Sequence, residues 1–205
     1  MIKIKTEYPV AFDSIDHIKP HGTANDNYTN IEFIKEVEDF FYGRKINYMD
    51  LGCAGGQLAI DFFNRGHFAI GLEGSDFSLI RKRANWENHS NTTLFTCDIS
   101  RPFEILGDND NRVLFDCITA NEVLEHIPRE RLNVLMENIY NHLKDDGIFI
   151  GSVSITTEPW HVSVFSKEIW YEEIFKPLFT VESYPFNNKV RADESTSFYI
   201  KLRKK

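Results

Sequence analysis

Four side chains near the middle of the sequence have the types and spacing for metal or acid–base chemistry. In "TANEVLEHIPRERL", Glu122, Glu125 and His126 stand at i, i+3 and i+4, which puts all three on one face of a helical turn. His161 follows in "TTEPWHVSVF", after a candidate strand. Two carboxylates and two imidazoles converging at a cleft make a divalent-metal site, with manganese, iron or zinc at least as well suited as magnesium, which prefers oxygen ligands. His161 alone would equally serve as a metal-free general base, or stand as a loop histidine facing solvent. A second constellation lies upstream. "MDLGCAGGQLAIDF" breaks an apolar run with Gly52, Gly55 and Gly56 before resuming as a helix, a pattern that lets something approach the backbone closely. Acidic residues end the next two candidate strands, Glu73 in "AIGLEGSD" and Asp98 in "LFTCDI". The first suits a ribose diol, because a carboxylate accepts two hydroxyl hydrogen bonds. The second can accept from an exocyclic adenine amine. No G-K-[ST] is present and the spacing is not G-x-G-x-x-G, so a phosphate is the weaker reading. A plain tight turn between strand and helix is the alternative.

The elements that must position these residues alternate along the chain. Strands are expected at "INYMDL", "HFAIGL", "TLFTC", "VLFDCITA" and "GIFIGSVSI". Helices fit "QLAIDFFNRG", "DFSLIRKRANWEN" and "RERLNVLMENIYNHLKDD", the last ending at Gly147 as its C′ residue. Asn30 is placed to cap a helix whose apolar side carries Ile31, Phe33, Ile34, Val37, Phe40 and Phe41. Such alternation predicts an α/β fold, a doubly wound parallel sheet with helices on both faces. After "KEIWYEEIFKPL" the runs "FTVESYPF" and "TSFYIKL" are joined by a loop alone, so an antiparallel hairpin is expected to close one edge. In such sheets ligands sit outside the carboxyl ends of the strands, where the glycine turn lies.

Composition narrows the function classes. The sequence has 205 residues, 42% hydrophobic and 26% charged, as in an ordinary globular protein. Residues 1–30, with Pro9, Pro20 and the polar "GTANDNYTN", are expected to be an irregular N-terminal arm or lid, and 31–205 a single domain. A net charge of −8 opposes nucleic-acid binding, which needs clustered Lys and Arg. The basic "KLRKK" reads as a solvated end. Cys53, Cys97 and Cys117 are odd in number and share no CxxC spacing, which points to reduced thiols and a cytoplasmic protein. No stretch reads as a signal peptide or a membrane span.

"MDLGCAGGQL", "GLEGSD", "TCDI" and "FDCITANEVLEHI" resemble the motifs of the class I S-adenosylmethionine-dependent methyltransferases, from about Ile46 to Ser154. The closing hairpin suits that family's seven-stranded Rossmann-like sheet. The resemblance implies that Asp50, Gly52, Cys53, Ala54, Gly55 and Gly56 line the methionine portion of S-adenosyl-L-methionine. It further implies that Glu73 holds the ribose, that Asp98 and Ile99 frame the adenine, and that Asn121 belongs to the same pocket. Ala54 departs from the family's D-x-G-x-G-x-G pattern.

No N-P-P-Y follows the fourth strand and no cysteine stands where transfer to carbon needs a covalent attacker, so an oxygen acceptor is favoured. Glu122, Glu125 and His126 with His161 are similar to the Glu-x-x-Glu-His plus downstream His of the small-RNA 3′-terminal 2′-O-methyltransferases. The Glu-x-x-Glu-His part is also similar to the ubiquinone-biosynthesis O-methyltransferases, where a divalent ion grips vicinal oxygens and lowers the pKa of the attacking one. In small-molecule methyltransferases without a metal the same Glu and His merely brace a helix start. Trp160, Phe165, Trp170 and Tyr171 cluster around His161 in sequence and would stack a planar acceptor, although Ile169, Trp170, Ile174 and Phe175 also have the spacing of core. Tyr28 with its Asn-rich surroundings would be a lid over the cofactor or a disordered arm. The expected activity is O-methylation of a small molecule such as a sugar, a lipid precursor or a vicinal diol. The alternatives are a metal-dependent RNA 3′-terminal 2′-O-methyltransferase and a non-catalytic binding module on the same fold.

Overall fold

Five strands buried on both faces organise the protein. In the computed structural model, which describes residues 1–190 and 196–205, β1 (Lys3–Thr6), α1 (Ile15–Ile18) and α2 (Gly22–Asn25) precede α3 (Ile31–Phe40). There follow β2 (Asn47–Leu51), α4 (Gln57–Asn64), β3 (Phe68–Glu73), α5 (Phe77–Ile80), α6 (Trp86–His89), β4 (Leu94–Thr96) and β5 (Phe103–Leu106). The chain then runs through β6 (Phe115–Asn121), α7 (Arg129–His142), β7 (Leu143–Ser154), α8 (Lys167–Ile169), β8 (Phe179–Glu182) and β9 (Ser197–Lys204). Seven strands form one sheet in the order β4-β3-β2-β6-β7-β9-β8. The first five are parallel, and β9 enters antiparallel to both β7 and β8, as the closing hairpin requires.

Successive strand residues point to opposite faces, so each strand feeds two cores. Met49, Leu51, Ile70, Leu72, Ile118 and Phe149 join the core that includes Leu132, Leu135 and Met136 of α7. Tyr48, Ala69, Cys117, Ile148 and Ile150 pack instead with Phe33, Ile34 and Val37 of α3 and Leu58 and Phe62 of α4. Asn30 caps α3, its side-chain oxygen accepting from the Glu32 and Phe33 amides. The strand order turns back between β2 and β6, so the crevice at that switch opens beside Gly52 and Asn121. All three cysteines are buried and unpaired. Among the described residues no helix is long and apolar enough to cross a membrane.

Three local expectations are corrected by contacts distant in sequence. The α7 helix ends at His142, before Gly147, because Leu143 turns extended and buries itself opposite Phe115. The His142 ring stacks on Phe103 at 4.7 Å. The single helix expected over "DFSLIRKRANWEN" is two short ones, with Lys82 and Ala84 at φ 51° and 50° between them. That break turns Arg83 inward onto the Asp26 carbonyl and lets the Trp86 indole donate to the Ala54 carbonyl at 2.7 Å. The first thirty residues are only partly irregular: β1 pairs antiparallel with β5, and α1 and α2 follow.

Gly52 leaves β2 at φ +68°, and a Cβ built there would stand 2.5 Å from Val123 Cγ2. Gly52→Ala should therefore cost about 1–2 kcal/mol for the left-handed backbone, with a further loss from overlap with Val123. Adding Val123→Ala should recover the overlap alone. Denaturant melts of the two variants measure both parts, and full recovery in the double variant would contradict the backbone contribution.

Candidate active site

A cavity of about 990 Å3 opens at the carboxyl ends of β2, β3 and β6, and is lined by residues from both constellations. That is the upper end of the roughly 300–1,000 Å3 usual for small-molecule sites. Asp50, Gly52, Cys53, Ala54, Glu73, Asp98, Ile99 and Asn121 all line it. Gly55 and Gly56, expected with them, stand back from it. A Cβ on Gly55 would meet Asn27 Oδ1 at 2.2 Å, and one on Gly56 would meet Leu94 Cδ1 at 2.5 Å, so these two positions serve packing of the chain on itself. The Cys53 sulfur packs against Gly71, and burial pushes its thiol far above the ordinary range. Ala54 holds φ 46°, a left-handed conformation in which the family pattern places glycine.

The carboxylates on this side are anchored by the chain itself. Glu73 Oε2 accepts the Ala54 amide at 2.8 Å, and its Oε1 accepts the Ser75 amide and the Thr23 hydroxyl, each at 3.0 Å. Burial raises Glu73 despite those donors. Asp98 Oδ1 accepts the Ser100 amide and hydroxyl at 3.0 and 2.6 Å. Asp50 accepts from Thr119 Oγ1 at 2.7 Å, and burial, opposed by that bond and aided by Glu73, pushes its carboxyl up to about 7.

The second constellation gathers at the other end of the cavity. Glu125, His126 and His161 each offer a ligand atom within 4.8 Å of the others. Glu122 is not in that group. The helical face expected for it does not form: only Leu124–His126 make a 3-10 turn, and Glu122 sits before it at φ 56°. The reason is that its amide bonds to Ser152 and its Oε2 accepts from Ser197 Oγ at 3.1 Å, tying it to β7 and β9. Glu122 still lines the cavity.

Glu125 has no exposed surface. Its Oε1 accepts the Ser154 amide at 3.0 Å, while Oε2 is buried with no hydrogen-bond partner among the described residues. Burial, with the Glu122 carboxylate beside it, raises its pKa well above the usual range. Its backbone carbonyl accepts the Val162 and Ser163 amides, both at 2.9 Å, which brings the His161 loop against the turn. The His161 Nδ1–H donates to the Thr156 carbonyl at 2.7 Å, a tautomer assigned from that partner, so Nε2 keeps its lone pair. His126 Nδ1 lies 2.9 Å from Asp16 Oδ2. Burial would lower His126, but the carboxylates of Asp16, Glu125 and Glu122 prevail and raise it. Metal-bound histidines characteristically give their second ring nitrogen to a carboxylate or a carbonyl. His161 is held that way by the Thr156 carbonyl, His126 Nδ1 has the Asp16 carboxylate in ion-pair contact though not aligned as a hydrogen bond, and the unpartnered Glu125 oxygen supplies a buried negative ligand, so the residues present fit a divalent ion.

The aromatic group expected around His161 divides. Trp160 stacks on His21 at 4.1 Å and borders the cavity. Trp170 is fully buried and packs with Phe165 and Phe175, as core. Sequence reasoning missed Asp16, His21 and Thr23, which reach the cavity from the N-terminal segment. "IDHIKPHGTAN" carries the polar types for it but no spacing that announces a site.

A family model described as a methyltransferase domain matches residues 25–179. Ubiquinone biosynthesis O-methyltransferase of Glaesserella parasuis is 26% identical over 146 residues, which cover 69% of this chain and 59% of that protein. The chain thus spans less than two thirds of the length of that curated relative. Among solved structures, PH0226 from Pyrococcus horikoshii superposes with a TM-score of 0.60 at 15% identity, covering 93% of this chain and 99% of the other. The glycopeptide N-methyltransferase MtfA, complexed with S-adenosyl-L-homocysteine, gives 0.58 at 15% identity, covering 89% and 93%. At those identities the likeness is one of fold.

The raised Asp50 has a consequence for stability. Folded Asp50 keeps a proton that the unfolded carboxyl, at about 3.9, has already released. Stability of the ligand-free protein should therefore fall as pH rises from about 4 to 7. Asp50→Asn should make that slope shallower in melts across the range. An unaltered slope would show that Asp50 is not the buried acid described.

Proposed function

This chain belongs to the class I S-adenosylmethionine-dependent methyltransferase family, and from that premise we propose that it binds S-adenosylmethionine and moves its methyl group to an oxygen of a small molecule. The oxygen acceptor is supported by the Glu125–His126–His161 cluster in the same cavity as Asp50, Glu73 and Asp98. The name of the curated relative, an O-methyltransferase, points the same way.

In this reading Glu73 takes the ribose hydroxyls, Asp98 and Ile99 frame the adenine, and Asp50, Gly52, Cys53, Ala54 and Asn121 surround the methionine portion. Residues 1–30 act as the lid. Three unpaired thiols support the reading of a cytoplasmic protein. The acceptor oxygen attacks the methyl carbon in line with the carbon–sulfur bond, which breaks to leave S-adenosylhomocysteine, and the acceptor loses its proton. Glu125, His126 and His161 would hold a divalent ion, with Glu122 close by. Bound there, the ion supplies Lewis acidity that lowers the pKa of an acceptor hydroxyl, best matched by a vicinal diol such as a sugar or catechol. A metal-free reading is favoured by one observation: the Nδ1–H of His161 is committed to Thr156, which leaves Nε2 ready to accept the proton directly. The acidic cavity lining, with Asp13, Asp16, Asp26 and Glu158 at its acceptor and N-terminal side, weighs against an RNA terminus.

The deciding experiment is a screen of acceptors with labelled cofactor, with and without chelator. Chelation and His161→Ala should each abolish turnover, and neither should change cofactor affinity by more than about twofold. Activity that survives chelation but not His161→Ala selects the metal-free base. Calorimetry should show Glu73→Ala weakening cofactor binding by roughly 1–3 kcal/mol, the loss of charged hydrogen bonds to the ribose. Cofactor binding unchanged in Glu73→Ala and in Asp98→Ala would refute the cofactor site.

A further inference from the structure

The N-terminal segment does more than cover the cavity. Its start is fixed at the cavity rim, where Arg131 makes two parallel hydrogen bonds to Asp13, at 3.0 and 2.5 Å. Three residues on, Asp16 places Oδ2 2.9 Å from His126 Nδ1, with 21% of its own side chain exposed. The Lys19 carbonyl then accepts the Trp160 indole at 3.2 Å. Thr23 donates to Glu73 Oε1 at 3.0 Å, and its carbonyl accepts from Ser78 Oγ at 3.1 Å. One strap therefore touches both ends of the cavity through two different side chains.

We infer that Asp16 is a positioning residue for the metal-ligating end: it holds the His126 imidazole by Nδ1 and so presents Nε2 to the ion alongside Glu125 and His161. The inference rests on the metal reading of the preceding subsection. The physical basis is tautomer and aim. A carboxylate at Nδ1 keeps the proton on that nitrogen, leaves the lone pair on Nε2, and makes that lone pair more basic. Without it the ring is free to rotate or to exchange its proton position, and one ligand of the set is lost for part of the time. His161 needs no such help, since the Thr156 carbonyl performs the same task. Thr23 is the strap's contact with the ribose-side carboxylate and has no part in aiming His126.

Manganese and S-adenosylhomocysteine are titrated separately by calorimetry into the wild type, Asp16→Ala, Asp16→Asn and Thr23→Val. Asp16→Ala should weaken manganese binding by about 10–100-fold, with Asp16→Asn intermediate because its amide oxygen keeps a polar contact beside Nδ1 but not the charge. S-adenosylhomocysteine affinity of both should stay within about twofold of the wild type. Thr23→Val should do the reverse. A strap that acts only as a structural cover predicts that Asp16→Ala and Thr23→Val lose both ligands together, and that result overturns the inference. So does wild-type manganese affinity in Asp16→Ala. If the wild type itself takes up no manganese, zinc or iron, the metal reading fails first and Asp16 falls with it.

Discussion

The end of the cavity that holds His126 and His161 depends on how Glu125 is buried. An ionised carboxylate without exposed surface costs several kcal/mol unless it is compensated. Here a single backbone amide, that of Ser154, bonds the carboxylate, and burial with the neighbouring Glu122 pushes its pKa up to about 7; Val162 and Ser163 bond the residue's own backbone carbonyl. Those three bonds join the turn after β6, the end of β7 and the loop carrying His161. One oxygen is left over. A positive charge at that oxygen would stabilise every element the residue ties together, so the site and the local fold share one electrostatic debt.

What was legible in the sequence was whatever local pattern dictates. The five parallel strands and the closing hairpin follow from alternation and from turn residues, and the glycine turn with Glu73 and Asp98 follows from strand ends. Asn30 was readable as a cap because capping needs only the next three residues. The misses have a common physical origin in contacts from far along the chain. Helix α7 stops at His142 because Leu143 has a buried place opposite Phe115. The helix after β3 breaks because Arg83 and Trp86 bind carbonyls of Asp26 and Ala54. Glu122 leaves the expected helical face because β7 and β9 claim its polar atoms. Asp16 and Thr23 were invisible because only folding brings them to His126 and Glu73.

The glycine turn illustrates how a motif's reason can differ from its reputation. The space each missing Cβ would take is filled by this chain: Val123 at Gly52, Asn27 at Gly55, Leu94 at Gly56. One of those neighbours, Val123, lines the cavity within the Glu122–His126 segment, while Asn27 follows the N-terminal strap. Backbone closeness at the turn therefore locks it to the Glu122–His126 segment and to the end of the N-terminal strap. A larger residue at Gly52 would displace Val123, part of the cavity wall.

The strap also imposes an order of assembly during synthesis. It leaves the ribosome before anything it docks on exists: Glu73 lies 50 residues beyond Thr23, and Trp160 lies 141 beyond Lys19. The glycine turn and the β2–β3 pair can form while the strap still has only half of its berth. His126 and the His161 loop come later, and β9, which pairs along β7, later still. The strap therefore gains its Trp160 contact only after the glycine turn and β3 have been made, and a translation product interrupted before Trp160 would carry the glycine turn beneath an unfastened cover.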